Sequence, residues 1–505
     1  MTTDDWHLAN GVLLPGFTGH RVPDWLAAEL GRGLAGVVLF AQNTPDLVAT
    51  RALCQDLARA SGGGAVVAID EEGGDVTRLF HREGSPLPAA AAFGTADRPD
   101  LTREAGRAEG ALLAAVGVTL NFAPCLDINS CPDNPVIGAR AFGATADTVI
   151  RHGLAFAEGL RSAGVGVCGK HFPGHGDTSQ DSHVTLPSLD ITADQLQMRE
   201  LAPYAALIEA GELDAVMMAH IVSPLWGSQP ASLSPQAVGL ARALGFRGLI
   251  VSDAMDMGAL ASGGFGDSCV AALAAGTDLL CLGTTHQHDD RDLYELARDA
   301  IVAALAGGHL DRQAMARSAY RRELLNRPHP TPGATLEPLV DHLTAIGREV
   351  ARLAAHLVGS KPPSVPPSRS DPDRRQDHHP AVAFLDARVT ADHASGTASP
   401  YVTQAVMRRW PGALVVASVS EVPADRRLIV HVRSAARGSA ERAALEQVLA
   451  ARPDATVLFT GAPSAAPAQF DGLRYGALVV AGGGSPPSAE ASLDLVVWPA
   501  VLALR

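Results

Sequence analysis

Eight short apolar runs recur in the first part of this chain, at 11–17, 36–41, 65–70, 118–127, 165–170, 215–222, 248–253 and 278–283. Each ends in polar or glycine residues and leads into a stretch with helical spacing. The runs lack strict apolar/polar alternation, which suits strands of a parallel sheet buried on both faces. Between them, 46–60, 101–115, 194–210 and 291–306 place apolar residues on one helical face. Thr192 followed three residues later by Gln195 is the pattern of a capped helix start. Eight strand–helix units in succession predict an α/β fold, a (β/α)8 TIM-type barrel over residues 1–330. A doubly wound open sheet is the alternative, but the first run is not followed by the GxGxxG turn such folds use.

The chain has 505 residues, more than a single core usually organises, so a second domain is expected. Residues 311–357, rich in Ala, Arg and Leu, read as more helix, with 331–358 forming a helical connection. Residues 359–380 carry proline and charge at a density that marks an extended linker. Five further apolar runs, at 381–385, 413–419, 427–432, 455–459 and 476–481, predict a smaller C-terminal α/β, sandwich-like domain over 381–505. It shows no dense polar constellation, so a structural or docking role is expected for it.

Forty Lys and Arg against fifty-four Asp and Glu give a net charge of −14, which argues against nucleic acid or an anionic membrane surface as a partner. No apolar run approaches the ~18–20 residues needed to span a bilayer. The first residues, Met1 to His7, show neither a basic nor an apolar leader region. The six cysteines form no CxxC pair, and several sit in strand-like runs. Free thiols in a reducing cytoplasm are the expectation. The oligomeric state is left open.

One segment concentrates chemistry. Lys170-His171-Phe172-Pro173-Gly174-His175-Gly176-Asp177-Thr178-Ser179-Gln180-Asp181-Ser182-His183 holds one Lys, three His and two Asp in a backbone that Gly and Pro keep out of regular helix. Lys170 is one of only two lysines in the chain, the other being Lys361. Its presence here points to a task for a compact ammonium that Arg would not perform.

In a barrel, the strand C-termini should carry the active groups. Here those ends hold Asp70-Glu71-Glu72-Gly73-Gly74 with Arg78, then Asn121, Pro124 and Asp127 with Arg140, then Lys170-His171, His220, and Ser252-Asp253. Taken singly, such an Asp reads as a helix cap and such an Arg as a solvated ion-pair partner. Their convergence on one rim is what those readings explain poorly. Asp181 two residues before His183 can fix an imidazole tautomer and support its charged form. A fixed carboxylate, Asp253, together with a separate proton donor is the parts list of a retaining glycosidase, with His in place of the usual second carboxylate.

At these residues the chain resembles glycoside hydrolase family 3, in particular its bacterial β-N-acetylhexosaminidases of the NagZ type. The resemblance rests on Lys170 to Gly176 with Asp181-Ser182-His183, on Asp70 to Gly74 with Arg78, on Ile137-Gly138-Ala139-Arg140-Ala141-Phe142, and on Val251-Ser252-Asp253-Ala254-Met255. It covers roughly residues 10–330. It implies that Asp253 is the nucleophile and His183 the acid/base, oriented by Asp181. It also implies that Asp70, Arg78, Arg140, Lys170 and His171 hold a terminal N-acetylglucosamine, with no cofactor and no metal. The implied substrate is a small carbohydrate, an N-acetylglucosaminide such as a muropeptide-like peptidoglycan fragment.

Rival readings remain at this stage. Within the family they are a β-glucosidase and a β-N-acetylglucosaminide phosphorylase. Outside it, His171, His175, Asp177, Asp181, His183 and His220 could serve a metal-dependent barrel hydrolase. That reading lacks both a His-x-His pair after the first strand and an HEXXH helix. A non-catalytic sugar-binding protein on the same fold is the last alternative. Within the loop, His175 and Asp177 are expected to shape the backbone, and its Gly and Pro to let the Asp181–His183 pair swing towards Asp253.

Overall fold

The computed structural model describes residues 3–182, 185–261, 263–283, 289–323, 325, 334–358, 381–388 and 400–496. All eight apolar runs contain strands: β1 (Leu13–Leu14), β2 (Gly36–Leu39), β3 (Val66–Ile69), β4 (Leu120–Asn121), β5 (Gly166–Phe172), β6 (Ala215–Met218), β7 (Leu249–Ser252) and β8 (Leu280–Cys281). Strands β2 to β7 pair in parallel in chain order, and β1 pairs with β8. Two links close the ring. The Val38 amide donates to the Pro15 carbonyl at 3.1 Å, and the Ser252 amide donates to Leu279 at 3.0 Å beside a Val251–Leu279 bridge. The result is an α/β barrel.

The missing alternation in the runs has a direct cause. In β2, Val38 points into the barrel interior with Leu14, Ala68, Leu120 and Val251. Its neighbours Val37 and Leu39 pack outward against the helical layer. Both faces are therefore apolar, and each such side chain contributes about 1.5–3 kcal/mol when fully buried.

Three expectations are corrected in detail. The run 118–127 is a strand only at Leu120–Asn121, since Pro124 has no amide to donate to a ladder. The run 165–170 extends to Phe172, and its ladder with β6 shifts register between Gly169 and Phe172, so Lys170 and His171 lie in the irregularity. The helix expected over 194–210 is divided into Ala193–Gln195, a π-helical turn Leu196–Glu200, and Ala202–Glu209. Pro203 cannot donate to Arg199 four residues back, which breaks the α-helical ladder there. At the start of this segment Thr192 does accept the Gln195 amide at 3.2 Å, and Gln195 answers by accepting the Thr192 amide at 2.9 Å.

A second sheet runs β11 (Leu414–Val416), β10 (Val382–Asp386), β12 (Arg427–Val432), β13 (Thr456–Phe459), β14 (Ala477–Val480), β9 (His356–Val358). All pairs are parallel except β14–β9. Strand β9 corrects the helical reading of 331–358. Helix covers Glu337–Ala354, and the next residues turn extended because Leu357 and Val358 pack on opposite apolar faces of the sheet. The segment 359–380 lies outside the described residues. The chain steps from β10 outward to β11 and then back across to β12, which creates a topological switch point between β10 and β12.

Three hydrogen bonds are among the contacts that join the second sheet's layer to the barrel. The Tyr401 hydroxyl donates to the His81 carbonyl at 3.1 Å, the Gly484 amide to Asp75 Oδ1 at 3.2 Å, and Gln469 Nε2 to the Pro132 carbonyl at 2.6 Å. Among the described residues no helix is long and apolar enough to cross a membrane.

Candidate active site

Charged side chains from β3, β4 and β5 meet at the carboxyl end of the barrel. Lys170, 2% exposed, places Nζ 2.6 Å from Asp70 Oδ1 and 2.5 Å from Glu72 Oε1. Glu72 also receives Arg140 through two bonds, Nη2 to Oε1 at 2.8 Å and Nε to Oε2 at 3.0 Å. Arg78 approaches Asp70 Oδ2 at 3.6 Å. One carboxylate, Glu72, thus sets the position of two cations, Lys170 on β5 and Arg140 in the loop after β4. Burial alone would raise the Asp70 and Glu72 carboxyls. The nearby cations win and hold both below the ordinary range. Burial likewise disfavours charge on Lys170, and the two carboxylates overcome it and raise the ammonium.

His171 is fixed from both sides. Arg140 Nη2 lies 3.2 Å from its Nε2, and Asp127 Oδ2 lies 2.6 Å from its Nδ1. A guanidinium can only donate, so Nε2 accepts and the ring proton sits on Nδ1, donated to Asp127. Asp127 is fully buried and accepts the backbone amides of His171 at 3.1 Å and His175 at 2.7 Å as well. Burial opposes its charge, but interaction with His171 and His175 pulls the carboxyl down to about 2.

Behind this layer, Glu71 accepts the amides of Arg78 and Leu79, each at 2.9 Å, and so holds the backbone that presents Arg78. Burial pushes the Glu71 carboxyl up to about 7, and burial together with Glu71 raises Glu109 well above its ordinary value. Asn121 joins the two, donating to the Glu71 carbonyl at 2.7 Å and to Glu109 Oε1 at 3.1 Å.

Across the rim, Asp253 follows β7 directly, half-buried, and its Oδ1 accepts the Ala254 amide at 2.8 Å. His220, from the end of β6, donates from Nε2 to the Ala254 carbonyl at 3.0 Å while its Nδ1 meets Ser232 Oγ at 2.7 Å. This pins the peptide next to Asp253.

The loop after β5 is shaped by contacts that demand its glycines. A Cβ on Gly176 would sit 1.7 Å from the Ile128 carbonyl oxygen, and Gly174 has φ +128° with Glu200 packed against it. His175 is buried, with Nδ1 2.8 Å from Thr178 Oγ1 and Nε2 3.1 Å from Ser182 Oγ. Burial lowers its pKa to about 4, so it is neutral at pH 7 and acts as a brace. Asp177 pairs with Arg199 at 2.5 Å, on the π-helical turn. Both residues do what a loop-shaping reading asks of them. At the loop tip, the Ser182 carbonyl accepts the Ala259 amide at 3.3 Å, six residues after Asp253. The tip is therefore docked on the loop that follows Asp253. Asp181 is half-buried beside it. His183 lies outside the described residues.

The structure brings Asp70, Arg78, Arg140, Lys170 and His171 into one connected set. Glu72 and Asp127 join that set, although the sequence alone did not single them out as site residues. Their shared signal is a carboxylate at the end of an apolar strand run. Among the described residues, Cys125, Asp127 and His171 have ligand atoms within 4.8 Å of one another and form the one group of metal-binding composition. Both Asp127 oxygens already accept N–H donors and a guanidinium faces His171 Nε2, so the group serves as a hydrogen-bond scaffold. His175, Asp177 and His220 of the proposed metal set are each engaged elsewhere.

Residues 20–322 match the model of the glycosyl hydrolase family 3 N-terminal domain, more than half of the chain. The chain belongs to glycosyl hydrolase family 3. A β-hexosaminidase of Idiomarina loihiensis is 37% identical to it over 254 residues, 48% of this chain and 75% of that protein. The solved family 3 β-N-acetylglucosaminidase of Paenibacillus sp. str. FPU-7 is 26% identical, with a TM-score of 0.80 over 96% of this chain and 95% of that one. A fungal multi-domain β-N-acetylglucosaminidase of the same family has a TM-score of 0.84 at 23% identity. The match covers 97% of this chain but only 59% of the fungal one, and the likeness is one of fold.

Proposed function

We propose that this family 3 glycoside hydrolase is a retaining exo-β-N-acetylhexosaminidase that releases terminal N-acetylglucosamine. The connected set of Asp70, Lys170, Arg140 and His171 on one side of the rim, together with the strand-end carboxylate of Asp253 and the Ser182 tip docked on the loop after it, is the observation that carries this reading. Curated β-hexosaminidases among its relatives support the substrate class.

In this mechanism the polar set binds the sugar hydroxyls through charge-assisted hydrogen bonds. The Asp253 carboxylate attacks the anomeric carbon as His183, protonated, gives its proton to the leaving oxygen. The bond to the aglycone breaks and an aspartyl glycosyl-enzyme forms. His183, now neutral, takes a proton from water, whose oxygen attacks the anomeric carbon and frees Asp253. Asp181 supports the imidazolium. A His donor avoids placing a second carboxylate against an anionic sugar such as N-acetylmuramic acid, which fits peptidoglycan fragments as the natural substrates. Six free cysteines, five of them buried, support a reducing, cytoplasmic setting. We read 1–330 as the catalytic barrel, 331–358 as the connection, 359–380 as linker and 381–505 as the second domain.

The test is a panel of aryl β-glycosides of N-acetylglucosamine, glucose and xylose, each with and without phosphate. The reading expects cleavage of the N-acetylglucosaminide at a rate indifferent to phosphate. A preference for glucoside, or a strict phosphate requirement with sugar phosphate as product, overturns it. His183→Gly should flatten the pH–rate profile and slow substrates with poor leaving groups most. An unchanged profile and rate would remove His183 from its role.

A further inference from the structure

A cavity of about 350 Å³ lies where the strand ends of the second sheet face the barrel rim. The barrel contributes Glu72, Asp75 and the 132–140 segment. The second sheet contributes Arg433 and Ser434 directly after β12, Gly461 and Ala462 after β13, and the start of the helix Ala440–Ala451. Asp70, Lys170 and Asp253 are not among its described lining. The cavity and the catalytic cup therefore meet at one shared wall, the Glu72–Arg140 pair.

Its position, its chemistry and its size all bear on a ligand. The cavity sits at the carboxyl ends of parallel strands beside the β10/β12 switch point, where open α/β sheets bind ligands. Glu441 lines it and is 3% exposed. Its Oε2 accepts the amides of Arg433 at 3.0 Å and Ser434 at 2.8 Å, and so holds the turn that presents Ser434 at the cavity wall.

The remaining walls narrow the class. Ser434 and Ser439 accept the amides of Ala436 and Arg442, so their hydroxyl protons can be given to a ligand. Pro132, Pro135, Ile137 and Ala462 add apolar surface. Glu72, Asp75, Asp133 and Glu441 outnumber Arg140 and Arg433, which disfavours an anion. A hydroxyl-rich ring with apolar C–H faces fits this mixture. The volume is at the small end of ligand cavities, room for one or two rings.

We propose that this cavity is a second saccharide site, taking a neutral sugar of one or two rings, and that its occupancy reaches the catalytic cup through Glu72 and Arg140. The coupling rests on the reading that Arg140 holds the substrate sugar; the binding does not.

Calorimetric titration of the full chain with N-acetylglucosamine, glucose and maltose tests both parts. At least one sugar should show a second binding event beside the cup. Ala436→Trp fills the cavity from a half-buried position outside the cup and should weaken that event at least about tenfold while sparing the first. Glu441→Ala removes the acceptor that holds the Ser434 turn and should weaken it about three- to tenfold. A single event with every sugar, or a second event that survives Ala436→Trp in a protein of unchanged melting temperature, overturns the site. If the second event is lost in both variants, yet kcat/KM for an aryl substrate never responds to added sugar, the coupling is overturned and the site stands. Absence of any N-acetylglucosaminide cleavage would instead defeat the proposed activity, and the titration would still decide the cavity.

Discussion

The two parallel sheets end in very different rims. On the barrel, charges are shared across strands: Lys170 from β5 reaches Asp70 and Glu72 after β3, and Arg140 from the loop after β4 reaches Glu72 and His171. On the second sheet, charges are consumed close to home. Arg388 pairs with Asp386 two residues away, at 2.8 and 2.5 Å. His431 is fully buried, and burial lowers its pKa below the ordinary imidazole value. The same architecture thus yields a polar cup on one sheet and a largely self-satisfied edge on the other. Strand ends offer positions, and the side chains there decide whether a reaction follows.

The sharpest way to break this contrast is Asp253→Ala. Removing the proposed nucleophile should lower kcat on an aryl N-acetylglucosaminide by about 10³-fold or more while the thermal midpoint hardly moves. Activity near that of the unaltered enzyme would dissolve the assignment. Glu72→Ala comes next. It leaves two buried cations without their shared partner, so unfolding free energy should fall by about 3–5 kcal/mol, with a large loss in kcat/KM. A denaturant titration beside steady-state kinetics reads both. On the other rim, Asp386→Asn should cost about 1–3 kcal/mol of stability and leave kcat/KM within about twofold. A large kinetic effect there would mean the second sheet takes part in the chemistry.

The effect confined to the narrowest conditions is in pH. Burial raises the Glu71 carboxyl from 4.5 in the unfolded chain to about 7 when folded. Between those values the folded state binds the extra proton, so the stability this group contributes below pH 4.5 is lost as pH rises through 7. Glu71→Gln should remove that slope, on the order of 2–3 kcal/mol across the window, in urea midpoints measured at several pH values. A variant with the original slope would show that another group is responsible.

Much of the architecture was legible in the residues. Runs such as Val37-Val38-Leu39 are apolar on both faces because the barrel buries both, and that is why they read as parallel strands. Thr192 and Gln195 carry a local cap that needs no tertiary context. Strand β9 was illegible because three residues at a sheet edge, directly after an amphipathic helix, leave no period to detect. The π-helical turn at Leu196–Glu200 was hidden because nothing in the local pattern shows how the chain will absorb Pro203. In the site, Lys170, Arg140 and Asp70 stood out as polar residues at strand ends. Glu72 and Asp127 were read at strand ends too but given no role, since their importance lies in partners on other strands: Lys170 is 98 positions from Glu72, and His171 is 44 from Asp127.

The most direct test of the central claim uses His183→Gly. With an activated aryl N-acetylglucosaminide, the proposed sugar transfer to the enzyme needs little acid help, whereas its release needs the base that we assign to His183 and that this variant lacks. Acid quench followed by peptide mass spectrometry should find one N-acetylhexosaminyl group, carried by the peptide that contains Asp253. A glycosylated peptide lacking Asp253, or no adduct while the substrate is being turned over, would contradict the account.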